Sequence, residues 1–246
     1  MRLHIAKNKK LGNKKAFEII KEQILKKPDS LIALAAGKTT DGLHKLISRD
    51  SMKSPTRWEK VKVLQIDENL EASPYSSLSF NFELRKELKQ LFKILNPKNI
   101  FFINGMKPPK QTIKEMYKFI KQNKGINLIT LGIGPDYDPH IAYNTSGKSS
   151  LKSKIRVVAL HSKTIKKIQC RGVACNAPTK GITLGVKDIL DAKKILLIAY
   201  GKEKAKSIKL AFGDKKVNMK KASASALLLH ESLIVVVDKE AGISLL

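Results

Sequence analysis

The feature that most limits how this chain can fold is a regular alternation of short apolar runs with stretches patterned at helical spacing. Apolar runs occur at 31–36, 61–66, 99–103, 126–133, 156–160, 194–200 and 233–238. Each is the length of a buried strand and too short to be a core helix of ordinary size. Between them lie helical patterns at 13–27, 42–48, 84–95, 112–122, 203–212 and 223–230. In the first, Phe17, Ile20, Ile24 and Leu25 share one side with lysines opposite. Strands separated by helices need crossover connections, and crossovers place neighbouring strands parallel. The pattern predicts an α/β chain with a three-layer, open, mostly parallel Rossmann-like sheet flanked by helices. A chain of 246 residues can bury the core of one such domain, so a single domain over 1–246 is expected.

In open α/β sheets ligands bind outside the C-terminal ends of the strands, so the residues following each apolar run are the candidates for chemistry. After 126–133, Gly134-Pro135 breaks into a loop that carries Asp136, Asp138 and His140 within five positions. A histidine beside two carboxylates can be oriented to move protons near neutral pH; the alternative is a turn with two solvated aspartates and a packed histidine. Asp67 follows the run 61–66 directly, as a general base at the sheet edge or as a cap. After 31–36 comes Gly37-Lys38-Thr39-Thr40-Asp41 and then a helix, an arrangement that offers backbone N–H groups and a helix dipole to an anion. Its alternative is a plain turn with Thr39, Thr40 or Asp41 as N-cap. No G-x-x-x-x-G-K-[ST] pattern is present, so ATP or GTP is not expected.

Further along, 146–150 suits a mobile lid or a surface linker, and 169–176 has no clear assignment. Residues 177–183 read as opening a helix that runs through 186–190, which would set Lys180 near a helix N-terminus and a phosphate.

Lys plus Arg total 48 against 21 Asp plus Glu, a formal net charge of +27. Such a surface attracts polyanions. Only six of the basic residues are arginines, and they are scattered; nor is there an aromatic-interleaved basic stripe, a zinc-finger spacing or an RNP-like motif. The charge therefore reads as a solvated exterior that favours an anionic substrate, with no nucleic-acid partner expected. Cys170 and Cys175 have no His or second pair nearby to complete a metal site and read as reduced thiols, with neither metal nor disulfide. No run approaches the length of a membrane span, and residues 1–11 are too basic and too briefly apolar for a secretory signal. A cytoplasmic protein is expected.

Five stretches in order resemble one family. Ala36-Gly-Lys-Thr-Thr40 is similar to a T-G-S-T-P phosphate loop, and Val63-Leu-Gln-Ile-Asp-Glu68 to a strand followed by D-E. Residues 131–144 resemble L-G-I-G-x-D-G-H-I-A-F-N. Pro178 to Thr183 with Asp188-Ile-Leu-Asp-Ala192 resembles P-K-x-A-L-T and its L-D-A helix. Ser225 to His230 with Val235-Val-Val-Asp238 resembles A-S-x-L-Q-L-H and V-V-V-D. Together they identify a likeness to the glucosamine-6-phosphate deaminase (isomerase) family, which shares its fold with 6-phosphogluconolactonases. His140-Ile-Ala-Tyr-Asn144 favours the deaminase branch over the lactonases' G-H-T-A-S-L-F.

The resemblance implies conversion of a hexosamine 6-phosphate to fructose 6-phosphate and ammonia, with no cofactor. It implies that Asp67 moves the proton between C2 and C1, and that His140, supported by Asp138 or Asp136 with spacing favouring Asp138, assists ring opening. The phosphate would lie on Ala36, Gly37, Lys38, Thr39 and Thr40 with Lys180. Where the family has Gly before His, this chain has Pro139, and Pro135-Asp136-Tyr137 suggests a two-residue insertion. Thr145 replaces a Glu of the histidine relay, Thr179 a phosphate-binding Lys, and Thr40 the loop's Pro. The alternatives are a 6-phosphogluconolactonase-like hydrolase, with His140 activating water, and a non-catalytic sugar-phosphate or polyanion binder. Family members assemble in several ways, so a homo-oligomer stays open.

Overall fold

Alternation within the strands sorts their side chains onto two faces. Leu31 and Ala33, with Leu64, Ile129, Leu197 and Val235, join one buried cluster. Ile32 and Leu34, with Val63, Leu128, Leu196 and Val236, join another. A sheet that is apolar on both faces must be covered on both, and the computed structural model, which describes residues 1–169 and 177–245, has that arrangement. The strands are β1 (Arg2–Ala6), β2 (Leu31–Leu34), β3 (Lys62–Gln65), β4 (Asp67–Asn69), β5 (Ile100–Phe101), β6 (Leu128–Leu131), β7 (Arg156–Ala159), β8 (Lys180–Thr183), β9 (Ile195–Ala199) and β10 (Leu233–Asp238). Seven form one sheet in the order β1-β10-β9-β6-β2-β3-β5, and every pairing in it is parallel. This is the expected three-layer α/β architecture.

The longer helices are α1 (Lys9–Lys26), α2 (Asp41–Lys53), α3 (Phe80–Glu87), α4 (Pro109–Gln122), α5 (Ser162–Gln169) and α6 (Val186–Leu190). α1, α2 and α3 bury Ile20, Leu43 and Leu84 against one face. α4 and α6 bury Met116 and Ile189 against the other. That second cluster also takes in Ile182 from a smaller sheet and Leu184 just beyond it, so one core joins both sheets. None of the helices is long and apolar enough to cross a membrane, among the described residues.

The smaller sheet, β4-β8-β7, is antiparallel and departs from the sequence reading. Asp67-Glu68-Asn69 is a short strand, pairing Asp67 with Thr183. Residues 180–183 are likewise a strand and not the opening of a helix; Gly185 begins the α6 turn instead, its N–H donating to Asp188 at 3.0 Å. The predicted helix at 84–95 begins at Phe80 and breaks after Glu87, and the pattern at 223–230 forms a tighter 3-10 turn series, Ser223–Leu229. β1, read only as a basic N-terminus, adds to the sheet beside β10 because Leu3 and Ile5 pack on the core. The cysteines, and most of the unassigned 169–176 stretch, lie outside the described residues.

Candidate active site

β2 and β6 are neighbours in the sheet, yet the chain leaves β2 for β3 on one side and reaches β9 from β6 on the other. The loops that follow β2 and β6 therefore diverge, and the crevice between them is where such sheets hold ligands. A cavity of about 600 Å³ opens there, within the usual range for a small-molecule site.

One wall is the turn after β2. Gly37 has φ +118°, a left-handed conformation that only glycine adopts without strain. Thr40 is buried and spends its hydroxyl on the Ala35 and Gly37 carbonyls, at 3.1 and 2.9 Å. Lys9, from α1, braces the turn by donating to the Lys38 carbonyl at 2.9 Å and pairing with Asp41 at 3.0 Å. The turn thus presents Gly37, Lys38, Thr39 and Thr40 to the cavity at the N-terminus of α2, where backbone N–H groups have no intrahelical partner and attract an anion.

Across the crevice, the loop after β6 folds back on itself. A Cβ on Gly134 would lie 2.3 Å from the Asp138 carbonyl oxygen and 2.7 Å from His140 Nδ1, so the close approach requires glycine. The Gly134 N–H donates to the His140 carbonyl at 2.8 Å and closes the loop. Asp138, 2% exposed, accepts from His140 Nδ1 at 2.9 Å on one oxygen and from the Ser146 N–H at 2.8 Å on the other. Burial alone would raise the Asp138 pKa; the His140 and Ser146 donors outweigh it and hold the carboxyl below its ordinary value. An ionised carboxylate only accepts, so Nδ1 carries the proton and Nε2 is left as the base. His140 lines the cavity and Asp138 stands behind it. Asp136 also lines the cavity but pairs with Lys206 at 3.3 Å and is not the histidine's partner. Tyr137 faces the cavity rim, with Lys163 Nζ 4.2 Å from its ring centroid.

The third wall comes from β3, β4 and α3. Asp67 lines the cavity and is 7% exposed. Burial, and secondarily the charges of Glu68 and Glu83, pushes its pKa up to about 8. Glu68, pointing the other way, is fully buried and accepts from Gln65 Nε2, Ser79 Oγ and the N–H groups of Asn69, Phe80 and Asn81, all within 2.9 Å. The neighbouring carboxylates thus divide their tasks: Glu68 clamps the start of α3 to the strand, and Asp67 is left to face the cavity. Tyr143 completes this wall, its hydroxyl donating to Asn69 at 2.7 Å and its ring 5.9 Å from Phe80.

Lys180 is not brought to the cavity. As the first residue of β8 its side chain is exposed, and its carbonyl accepts from the Leu70 N–H at 3.0 Å; the strand pairing that displaces the predicted helix start also carries this lysine away. Besides Lys38, Lys204 lines the cavity, its Nζ donating to the Ile133 carbonyl at 2.7 Å. Sequence reasoning missed it, although Gly201 following the apolar run that ends at Tyr200 is the same strand-then-glycine signal that drew attention to Gly37. Glu83 was missed as well, because its helix was taken to begin at Leu84. The 146–150 segment is no lid: Ser146 supports Asp138 and accepts from the Ser223 N–H at 3.0 Å, and the Gly147 N–H donates to Met219 at 2.8 Å. Thr145 does not line the cavity.

Comparison with known proteins places the fold in a family. The model of the glucosamine-6-phosphate isomerase/6-phosphogluconolactonase family matches residues 12–233. A glucosamine-6-phosphate deaminase of Clostridium botulinum is 33% identical over 98% of both chains, and one of a Thermoanaerobacter species is 32% identical over 98% of this chain and 94% of its own. Among solved structures, a monomeric glucosamine-6-phosphate deaminase superimposes with a TM-score of 0.89 at 25% identity, covering 99% of this chain and 100% of that one. The 6-phosphogluconolactonase of Trypanosoma cruzi shares the fold with a TM-score of 0.77 at 17% identity, over 98% and 96% of the two chains. With its fold, its five ordered motifs and a match over most of its length, the chain belongs to the glucosamine-6-phosphate isomerase/6-phosphogluconolactonase family.

Proposed function

We propose that the protein is a glucosamine-6-phosphate deaminase, converting glucosamine 6-phosphate and water to fructose 6-phosphate and ammonia. The observation that carries this reading is the convergence, in one cavity, of an anion-receiving helix start with Lys204, a His140–Asp138 pair and the buried carboxyl of Asp67. Relatives of that name at 33% and 32% identity over nearly the whole chain support it.

Each group has a task matched to its surroundings. The Gly37–Thr40 turn and Lys204 hold the 6-phosphate and set the sugar's register, which turns later proton transfers into intramolecular steps. His140 Nε2 takes the proton of the C1 hydroxyl and returns it to the ring oxygen, opening the ring, while Asp138 stabilises the imidazolium that forms in between. The Asp67 carboxylate then removes the C2 proton and delivers one to C1, while the C1 oxygen gains the proton that the nitrogen gives up. That leaves an imine at C2, which water hydrolyses to the ketone with release of ammonia. Proton transfers and one water suffice, so the chemistry calls for no organic cofactor or metal. A carboxyl with a pKa near 8 is a strong enough base to share a carbon-bound proton and is recovered at each turnover. A phosphorylated sugar does not cross membranes unaided, which supports a cytoplasmic place of work.

The test is release of ammonia and fructose 6-phosphate from glucosamine 6-phosphate by the purified protein, with galactosamine 6-phosphate and 6-phosphogluconolactone run in parallel. Release from glucosamine 6-phosphate is expected. Turnover of the lactone alone would replace this reading with hydrolysis, and binding without turnover would make the protein a sugar-phosphate receptor.

A further inference from the structure

The two proton-moving groups of the proposed chemistry stand on separate pieces of chain, His140 on the loop after β6 and Asp67 on the short strand β4. Proton transfer slows steeply when the reacting groups are misplaced, so whatever holds those pieces in register bears on the rate. We propose that the Tyr143 hydroxyl, acting through Asn69, is the positioning group that holds the His140 loop against the Asp67 strand.

Tyr143 comes three residues after His140 and Asn69 two after Asp67, and all four line the cavity. The Tyr143 hydroxyl donates to Asn69 Oδ1 at 2.7 Å, and Asn69, 2% exposed, turns its Nδ2 to the Leu78 carbonyl at 2.7 Å. One buried amide thus ties together β4, the loop that leads into α3, and the His140 loop. The tyrosine ring is confined as well: Phe80 stacks 5.9 Å away, and a Cβ on Gly181 would come within 2.8 Å of it. Between His140 and Tyr143 the backbone is strained, with Ala142 in the left-handed region at φ +48°. Such a conformation persists only where its surroundings hold it. Thr183, outside the cavity lining, holds it by accepting the Tyr143 N–H at 3.1 Å, and the Asn69 link holds it at the cavity wall. The family pattern that residues 131–144 resemble has Phe at this position, so the hydroxyl is a feature of this chain.

This inference rests on the proposed reaction for its kinetic consequence, but amide exchange tests the link without any turnover. Tyr143→Phe keeps the ring and removes only the hydroxyl. Hydrogen exchange of the Gly134 and Asn144 N–H groups, which bond to the His140 and Ile141 carbonyls, should quicken by about fivefold or more while the β9 amides stay unchanged. In steady-state kinetics with glucosamine 6-phosphate the same variant should lose about fivefold to tenfold in kcat, with KM within about twofold of the wild type. In an Asn69→Ala background the Phe substitution should lower kcat no further, because the partner it acts through is gone. Unchanged exchange in the loop would overturn the link whatever the protein turns over. Faster exchange with kcat unaltered would leave the hydroxyl a structural brace and overturn its positioning role. A full further loss of kcat in the Asn69→Ala background would overturn the route through Asn69. If the wild type releases no ammonia, the proposed reaction fails, and exchange alone decides the link.

Discussion

Asp67 and Asp138 are both aspartates buried at the C-terminal edge of the same sheet, and their surroundings drive them in opposite directions. Asp138, 2% exposed, sits between two donors and is held below its ordinary pKa; Asp67, 7% exposed, feels two neighbouring carboxylates and is raised to about 8. Desolvation is the largest influence on both and raises both; at Asp138 the His140 and Ser146 donors outweigh it, and at Asp67 the neighbouring carboxylates add to it. The loop at 134–146 curls around Asp138 and offers it His140 and an amide, whereas the strand carrying Asp67 spends its local donors on Glu68. The first arrangement makes a permanent anion that orients a histidine; the second makes a carboxyl that can hold or release a proton near neutral pH.

The largest effect should come from removing the poised member of the pair. Asp67→Asn is expected to lower turnover of glucosamine 6-phosphate by about 10³-fold or more, while calorimetry shows phosphosugar affinity changed by less than about threefold. Full turnover by this variant would take Asp67 out of the mechanism. His140→Gln, which silences the orienting side, should cost about 10²-fold, most severely when the sugar is presented ring-closed. An unchanged rate would leave His140 as a packing residue. Lys204→Met removes a cation that belongs to neither aspartate, so steady-state kinetics should show KM raised by about tenfold with kcat little altered, the signature of lost uniform binding.

The smallest effect is on stability and has opposite signs for the two sites. Asp67 has a folded pKa of about 8 against an ordinary 3.8, so between those values the unfolded chain releases a proton that the folded chain keeps, and stability falls as pH rises through that window. Asp67→Asn should therefore raise the melting temperature by a few degrees near pH 8 and by much less near pH 4. Asp138, with its folded pKa lowered, contributes stability that is present above its unfolded pKa and lost on acidification. Asp138→Asn should lower the melting temperature near pH 7. Melting curves of both variants across pH would break the comparison if they moved in the same direction.

The same contrast marks how much of the molecule was legible in its sequence. Strands β2, β3, β6, β9 and β10 are apolar on both faces, so their runs could be read directly, and with them the parallel sheet and the placing of Gly37, Asp67 and His140 after its strands. The antiparallel sheet was not legible. Asp67-Glu68-Asn69 has no apolar side chain, and it is a strand only because Thr183, Ile182 and Gly181 lie opposite it. Pairing set far along the chain decides such a segment, and local pattern carries no trace of it. The misplacement of Lys180 follows from the same gap. Spacing favoured Asp138 over Asp136 without excluding either; in the folded loop Asp136 pairs with Lys206 and Asp138 with His140.

The most direct test of the division between the two aspartates is a carbon-13 NMR titration of the side-chain carboxyls, comparing the wild type with Asp67→Asn and Asp138→Asn. One aspartate signal should titrate near pH 8 and vanish in Asp67→Asn, and the signal lost in Asp138→Asn should titrate below the ordinary carboxyl range. If the Asp67 signal instead titrates in that ordinary range, or the two assignments are exchanged, the account of which carboxyl moves the proton and which one holds the histidine is wrong.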